Sequence, residues 1–588
     1  MSEFCNKERI FQDSYDDSFG VVDLLSKYIF YCMKEAKQQH QLYVAPYIAL
    51  CQSSGVGKTA TALQLRKQFL VFYVCFRRSD SSGEPKRTPV IADLFASVNS
   101  TDNYYKLLNA CFLTFYEKYI YEHDPKTYEN NIIAFHDDIC YSSCSFWSEV
   151  KTCFDSNGTS DSSALQSSCI FSCNQIISAL SKSDSSIKTI LFVFDEAREL
   201  IEIELPAGTG KNIEKTSPFR LLRTALGSFN GEGTCAALFM DTNSRVANFV
   251  PSQISDPSAR VATTGLKLFH PFTVLPGIAV LGLSSTFCRN NNEKFNPTEN
   301  ITLNYNRFEE AAQSRALFAA YLNRSADMLA LNRENAVGYM WKKLMDLAQT
   351  KLLPSSPDIK ELELDMFVVL AVRFCVLPMD SDTSIELVGS RMATLHAVSE
   401  DRRRLMIHYE AEPILAEVAC KRMCMKDEFQ HILRKIVDMR RTGNVGILYP
   451  SGEVGEFCAS LLLARAADMY FMSSNIEQHY GAPLLLKDFL THLFDSTFVN
   501  ELSFPEGLDY GAVRVLQFVK CEEAITRDVI LDAAQRGVAL LCKNGDTGID
   551  IVIPVIMLKM ECEKSLLDLT ETDISGVFIQ VKNYNNSS

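Results

Sequence analysis

The chain has 588 residues, of which 47% are hydrophobic and 22% are charged. These values are typical of globular proteins and exclude a disordered chain, and the length predicts roughly three or four domains. The formal net charge of −14 argues against an extended basic surface for nucleic acid, although a local basic groove is compatible with it.

The amino-terminal residues MSEFCNKERIFQDSYDD are acidic and polar, and they lack the basic-then-apolar pattern of a signal peptide. No apolar run approaches the length that spans a membrane. We therefore expect an intracellular protein of the cytoplasm or nucleus, without a membrane partner, whose 19 cysteines are mostly reduced. Residues 1–42 are expected to form a helical preface, because Val21 to Gln38 has apolar residues at helical spacing.

A glycine-bearing segment, QSSGVGKT, spans Gln52 to Thr59 between the apolar run YVAPYIALC and the helix-forming run ATALQLRKQF. Strand, loop and helix in that order are the context of a phosphate-binding loop, in which backbone N–H groups and the helix N-terminus face phosphate oxygens. Lys58 would reach the β- and γ-phosphates, and the Thr59 hydroxyl would hold Mg²⁺. Gln52 stands where the usual pattern has a glycine, so the first turn must be made without one. The predicted nucleotide-binding residues of the loop are Ser54, Gly55, Val56, Gly57, Lys58 and Thr59.

A second apolar run, TILFVFDEAREL (Thr189 to Leu200), brings two carboxylates to the end of a predicted strand. In P-loop hydrolases such a strand places one carboxylate on Mg²⁺ and the next beside the attacking water. Asp195 is therefore predicted to bind the metal and the nucleotide, and Glu196 to be catalytic. The two motifs together predict an ATP-binding, Mg²⁺-dependent hydrolase, and a kinase is a weaker alternative because Glu196 suits activation of water.

A third predicted strand, TCAALFMDTNS (Thr234 to Ser244), ends in polar residues. Thr242 and Asn243 are candidates for a γ-phosphate sensor, or they simply cap the strand. Three arginines are candidates for an arginine finger acting on a second copy, which would require a homo-oligomer. We favour solvated surface positions for these arginines, which are Arg220 and Arg223 on one helical face and Arg245 beyond the candidate sensor.

Two CxxxC pairs occur in a serine-rich region, Cys140 with Cys144 and Cys169 with Cys173. Structural zinc ligands are more often spaced as C-x₂-C, and a spacing of four also fits buried positions on a helix. The spacing therefore favours buried helix positions over a zinc site.

The coarse pattern predicts an α/β fold in four parts. Alternating strands and helices over 43–305 predict a mostly parallel sheet with helices on both faces, and 306–445 is expected to form a helical lid or linker. Residues 446–588 contain a helix (Ser451 to Phe471) and three predicted strands, GVALLCKN, IDIVIPVIML and GVFIQVKNY, the first two joined as a hairpin. Pro554 in the second strand predicts an edge or a bulge, because proline donates no backbone hydrogen bond.

The carboxy-terminal strands carry a second group of chemical residues. Asp550 begins the second strand, and Gln580 and Lys582, two apart in the third, are expected to share one face. Asp550 and Gln580 oxygens would hold a hard divalent ion, and Lys582 would polarise water or stabilise a charged phosphate. Glu456, on the preceding helix, could complete the metal shell. These four residues are the predicted catalytic set.

The helix, the hairpin and the strand bearing QxK are similar to the PD-(D/E)XK restriction-endonuclease core. Together with the loop motif, the chain resembles the NTPase-plus-nuclease proteins of the Crinkler class, which are transposon-related and effector proteins of fungi and oomycetes. The segments that carry the resemblance are QSSGVGKT, FVFDEA, HYEAEPILAEVA (His408 to Ala419), GIDIVIP and IQVKN. The resemblance implies an ATPase module that regulates or delivers a DNA-cleaving domain.

Three features depart from that family pattern. No secretion signal precedes the loop motif, and the residues from 445 onward include ten basic and twenty acidic side chains. The sequence ends six residues after Lys582, where the family core continues with a helix and a strand. We therefore expect an incomplete nuclease-like domain with at most weak Mg²⁺-dependent cleavage of DNA. The alternative is a nucleotide-switched interaction protein whose carboxy-terminal domain only binds.

Overall fold

The computed structural model shows two compact units. Unit 1 comprises Met1–Leu275 and Leu395–Leu405, and unit 2 comprises Pro276–Thr394 and Met406–Ser588. The four-part division drawn from the sequence stays a prediction. The structure describes residues 20–81, 85–139, 145–156, 161–182, 187–207, 214–241, 266–275, 315, 317–318, 321, 333–354, 359–378, 381–400, 402, 404–425, 429–434, 436, 453–473, 480–504, 511–543, 548–557 and 569–582.

Unit 1 alternates strands with helices along the chain. Its elements are α1 (Val21–Gln38), β1 (Tyr47–Leu50), α2 (Lys58–Gln64), β2 (Leu70–Cys75), α3 (Ile91–Ser97), α4 (Thr101–Tyr119), α5 (Tyr128–Ile139), α6 (Ser145–Ser156), α7 (Ser162–Leu180), β3 (Ile190–Asp195), α8 (Glu199–Glu202), β4 (Leu205–Ala207), β5 (Glu214–Thr216), α9 (Pro218–Gly227) and β6 (Cys235–Met240).

Four of these strands form a parallel sheet in the order β1-β6-β3-β2. Each of the four is buried along its whole length, which explains why their sequences read as continuous apolar runs. Because the strands are parallel, the segments that follow β1, β6 and β3 leave the sheet at the same edge. The loop after β1 and the carboxylates after β3 are thereby brought to one place.

The residues at 266–275 run along the outer side of β1. The backbone N–H of Phe272 donates to the Ala49 carbonyl at 2.8 Å, and the N–H of Cys51 donates to the Phe272 carbonyl at 2.9 Å. These two bonds align the segment in parallel with β1 and lead it toward the loop that follows Leu50.

Side-chain caps explain where several helices begin. Ser100 accepts from the Asn103 N–H before α4, Asp161 accepts from the Ser163 N–H before α7, and Ser217 accepts from the Arg220 N–H before α9. Each bond satisfies a backbone donor that a helix start leaves unpaired. The helix expected over Val21–Gln38 is confirmed with the same limits.

Unit 2 contains long helices followed by a mixed sheet. Its elements are α10 (Arg333–Leu352), α11 (Ile359–Phe374), α12 (Ser381–Ser390), α13 (Pro413–Met423), α14 (Glu453–Ser473), β9 (Leu484–Leu485), α15 (Leu486–Leu493), α16 (Ser496–Glu501), β10 (Gly511–Val513), β11 (Gln517–Lys520), α17 (Arg527–Arg536), β12 (Val538–Leu541), β13 (Ile551–Met557) and β14 (Ile574–Ile579). Two further strands, β7 (Thr394–Val398) and β8 (Leu405–His408), lie where the sequence passes between the units.

The six-stranded sheet of unit 2 follows the order β11-β12-β13-β10-β9, and β14 pairs with the other side of β13. All pairs are antiparallel except β11 with β12. Of the two alternatives expected at Pro554, an edge or a bulge, the edge is wrong, since β13 has neighbours on both sides. On one side, β13 pairs with β12 as far as Val552 and with β10 from Val555 onward. Pro554 lies in the gap between these two pairings, where no backbone donor is required on that side.

The chain thus has a mixed α/β fold with one parallel sheet and one largely antiparallel sheet. Within the described residues, no helix is both long and apolar enough to cross a membrane.

Candidate functional site

The loop between β1 and α2 turns tightly on two glycines. Gly55 has φ +81° and Gly57 has φ +93°, in the left-handed region that residues with a Cβ rarely adopt. Gly57 is also the residue from which α2 begins, so Lys58 and Thr59 form the first turn of that helix. Ser54 precedes Gly55, and Val56 lies between the two glycines. The N-terminus of α2 therefore opens into the loop, as the glycine spacing predicted.

Lys58 is buried, with 6% of its surface exposed. Its Nζ donates to the carbonyl oxygens of Gln52 at 2.5 Å and Ser53 at 2.8 Å. Burial lowers the pKa of Lys58 to about 8, while the charges of Asp195 and Asp241 act in the opposite direction. The Lys58 amine is thus held by the backbone of the same loop that is predicted to bind phosphate.

Asp195, the last residue of β3, connects three elements of the site. Its Oδ2 accepts from the Thr59 hydroxyl at 2.8 Å and from the Tyr73 hydroxyl at 2.8 Å, and its Oδ1 accepts from the Glu196 N–H at 2.9 Å. Burial, together with the charge of Glu196, raises the pKa of Asp195, and the hydroxyls of Thr59 and Tyr73 counteract this. A buried carboxylate beside a hydroxyl is a donor set of hard oxygens, which Mg²⁺ prefers.

Glu196 has a left-handed backbone, with φ +53°. Its side chain is 12% exposed, and its Oε1 lies 2.8 Å from the Arg77 guanidinium. Arg77 follows β2 and is itself held by donation from its Nε to the Pro85 carbonyl at 2.9 Å. The ion pair therefore fixes the Glu196 carboxylate next to the Asp195 cluster.

Three residues of this cluster escaped the sequence interpretation. Tyr73 lies within β2, Arg77 follows that strand, and Asp241 follows β6 with 5% of its surface exposed. The only signal in the sequence was their position near the carboxyl ends of apolar runs. Their distance in sequence from the loop conceals the association, because strand order decides which ends meet.

Other candidates of unit 1 have different outcomes. Thr242, Asn243 and Arg245 lie outside the described residues, as do Cys140 and Cys144.

The solvated position favoured for Arg223 is wrong. Arg223 is 4% exposed, and its guanidinium lies 5.7 Å from the centre of the Phe219 ring on the same helix, α9. Arg220 is partly buried. The amphipathic face of α9 packs this arginine inward, which the spacing alone did not show.

Cys169 and Cys173 both lie buried on α7. The Cys173 thiol contacts the Thr234 hydroxyl, with 3.6 Å between Sγ and Oγ1. Burial raises the pKa of Cys169 well above its ordinary value, so this thiol stays protonated near neutral pH. Both residues are core positions on one helical face.

In unit 2, the candidate residues gather around Val581. The Val581 N–H donates to Asp550 Oδ2 at 2.5 Å, and the Asp550 N–H donates to the Ile579 carbonyl at 2.8 Å. A Cβ built on Gly455, near the start of α14, would lie only 3.1 Å from Val581 Cγ1. The first turns of α14, which carry Glu456, therefore pack against the chain that bears Gln580 and Lys582.

Gln580 and Lys582 are not in the third strand, contrary to expectation. Strand β14 ends at Ile579, which pairs with Ile551. The side chains of Gln580 and Lys582, which follow the strand, are exposed. The Asp550 carboxylate accepts the Val581 N–H in place of a ladder partner, which ends the regular pairing. Strand alternation consequently does not establish a shared face for Gln580 and Lys582.

Two family models match the chain. Residues 17–275 match a family described as Domain of unknown function (DUF8735), and residues 364–588 match one described as Domain of unknown function (DUF8736). No curated protein and no solved structure gives a match. The first match ends at the residue where the first stretch of unit 1 ends, and the second covers the carboxy-terminal part of unit 2.

Proposed function

We propose that unit 1 binds a nucleoside triphosphate, ATP in the first instance, and hydrolyses it with Mg²⁺. The observation that carries the proposal is the burial and hydrogen bonding of Lys58. A lysine 6% exposed at a helix N-terminus, bonded to two carbonyl oxygens of a glycine-turned loop, suits an anion that approaches the same loop. Burial of an ammonium group is costly even when carbonyl oxygens accept its hydrogen bonds, so a fold that buries one beside this loop favours a negatively charged ligand there.

The surrounding residues have complementary roles in this proposal. Backbone N–H groups of 54–59 would bind phosphate oxygens, and Lys58 would neutralise their charge. Thr59 and Asp195 would hold Mg²⁺, which supplies charge neutralisation between the phosphates. Glu196 would orient the attacking water and accept its proton.

The test is the affinity of the full chain for a non-hydrolysable ATP analogue with Mg²⁺, measured by calorimetry. Lys58→Ala should lose binding, because the charge at the loop is removed. Lys67→Ala is the matched control, since Lys67 is an exposed lysine just beyond α2 and should bind normally. Equal affinity of the parent and Lys58→Ala would reject the proposal.

A metal-dependent nuclease activity of unit 2 on DNA is a second candidate, as the Crinkler-class resemblance implies. The observation that favours it is the bond between the Val581 N–H and Asp550, which puts a carboxylate beside the segment with Gln580 and Lys582. Asp550 and Gln580 would supply hard oxygens to a divalent ion, with Glu456 on the adjacent helix turn. In the alternative, the same unit only binds a partner and the nucleotide acts as the switch.

Plasmid cleavage at low salt with Mg²⁺ or Mn²⁺ separates these two alternatives. Cleavage by the parent that Asp550→Ala and Lys582→Ala both abolish would establish a nuclease. We expect the rate to be low and to fall as salt rises, because the residues from 445 onward carry a formal balance of −10. Intact ATP hydrolysis without cleavage would favour the switched interaction protein.

A further inference from the structure

Gln52 occupies the position where a glycine is usual, and its carboxamide has a partner at each end. Nε2 donates to the carbonyl of Leu395 at 2.9 Å and to that of Thr273 at 3.1 Å. Oε1 accepts from the N–H of Leu395 at 2.9 Å and from that of Ser53 at 2.9 Å. The side chain is 2% exposed, so these bonds form in a buried environment.

The paired bonds to Leu395 require an amide of this length. One face of the Gln52 carboxamide meets both the N–H and the carbonyl of Leu395, as a neighbouring strand would. A glycine has no side chain to reach Leu395, and loss of the amide would leave the buried N–H of Leu395 without this acceptor. The departure from the glycine pattern is therefore tied to a stretch of chain 343 positions away.

Other polar bonds attach residues 395–402 to the 266–275 segment, within the same unit 1. The Thr273 hydroxyl donates to the His396 carbonyl at 3.2 Å, and Arg402, just beyond, donates to the Leu268 carbonyl at 2.6 Å. Both of these bonds end on the 266–275 segment. The Gln52 side chain also donates to Thr273 in that segment, and in addition it connects Leu395 directly to the loop.

We propose that Gln52 is a positioning residue that couples phosphate binding in the loop to the order of residues 395–400. The inference rests on the proposed nucleotide binding of unit 1. Lys58 donates to the backbone carbonyls of Gln52 and Ser53. The Gln52 side-chain oxygen in turn accepts from the N–H groups of both Ser53 and Leu395, so the same short stretch contacts Lys58 and Leu395. A phosphate that draws on Lys58 changes the bonding of those carbonyls, and the Gln52 amide passes this change to Leu395. Coupling of this kind is reciprocal, so loss of the bonds to Leu395 must also alter nucleotide affinity.

Hydrogen exchange of the full chain tests the coupling, because the Leu395 N–H is itself one of the bonds. Exchange is measured in a peptide that begins at least two residues before Leu395 and extends to residue 400, so that the Leu395 amide keeps its label. The measurement is made with and without the non-hydrolysable ATP analogue and Mg²⁺, and calorimetry gives the affinity. We expect the analogue to change exchange of the Leu395 amide in the parent by about fivefold or more. In Gln52→Gly the analogue should change exchange of the Leu395 amide by less than about twofold, which is below the roughly fivefold at which typical coupling between sites begins.

Two further variants keep the test decisive. Gln52→Met fills the same volume without the amide and covers the case in which Gln52→Gly does not fold. Arg402→Ala is the matched control, because it loosens the same stretch without touching the loop and should keep the nucleotide-dependent change. Loss of analogue binding in both folded Gln52 variants would also support the coupling, as reciprocity requires.

The inference fails if the parent binds the analogue with no change at Leu395. It fails equally if a folded Gln52 variant binds the analogue and keeps the full change. Absence of binding by the parent would refute the proposed function and this inference together, and calorimetry distinguishes that result from the other two.

Discussion

Acid should destabilise unit 1 through one buried histidine. His136 on α5 is 4% exposed, and its Nε2 accepts the N–H of Val71 in β2 at 3.0 Å. A protonated ring has no acceptor nitrogen, so protonation would break this bond and place a charge in the core. Burial, with a smaller effect of the Arg66 charge, lowers the pKa of His136 to about 3.

The loss of stability in acid follows from the difference between the pKa of His136 in the folded and in the unfolded chain. An unfolded histidine has a pKa of about 6.5 and binds a proton as the pH falls below that value, whereas folded His136 stays neutral down to about pH 3. The stabilisation is complete above about pH 6.5 and is lost progressively as the pH falls toward 3. For these two values the free energy of unfolding falls by about 2 kcal/mol between pH 7 and pH 5.

The assay is urea unfolding of the full chain at pH 7 and pH 5, followed by tryptophan fluorescence. The chain has two tryptophans, so a Trp341→Phe background leaves Trp147 of unit 1 as the reporter. In that background His136→Gln should lose about 2 kcal/mol less than the parent, because the amide oxygen accepts the Val71 N–H without titrating. His123→Gln, at an exposed histidine, is the matched control and should behave as the parent does. Equal acid sensitivity of the parent and His136→Gln would refute the reasoning.

Two further predictions concern charges in the two units. Glu196→Gln should bind ATP normally and hydrolyse it about a hundredfold more slowly in a phosphate-release assay, since the amide cannot accept a proton from water, and a wild-type rate would assign Glu196 a structural role. Asp468→Ala should cost unit 2 about 3–5 kcal/mol in urea unfolding, because it removes the carboxylate 2.7 Å from the fully buried Arg373. Asp532→Ala is the matched control, because Asp532 is exposed and pairs with the partly buried Arg536, and it should cost less than about 0.5 kcal/mol. Equal costs for the two variants would show that burial of the ion pair does not determine the cost.

The positions of several elements were predictable because their signals are local. The apolar spacing of Val21 to Gln38 defines a helix whose limits the structure reproduces. The four buried strands of unit 1 stand out as apolar runs, and the loop with Gly55 and Gly57 lies between a strand and a helix, the order that the sequence predicts. In each case the cause lies within a few residues, so a window of sequence contains it.

The end of β14 shows where local reasoning stops. Alternation predicted that Gln580 and Lys582 continue the strand, yet the Asp550 side chain takes the next N–H and the regular pairing ends at Ile579. A side chain distant in sequence competed with the backbone for one hydrogen bond. Propensity and periodicity contain no information about such a competitor.

The sequence by itself determined which residues form the loop, the apolar strands and the carboxylates at their ends. Only the tertiary structure decided which of these ends meet, because the order β1-β6-β3-β2 brings Asp195 to Thr59 and Arg77 to Glu196. It also decided the use of Gln52, which the pattern marks only as a missing glycine. Its amide bonds to Leu395 depend on the fold, since hydrogen bonds between distant segments form only where packing brings buried donors and acceptors together.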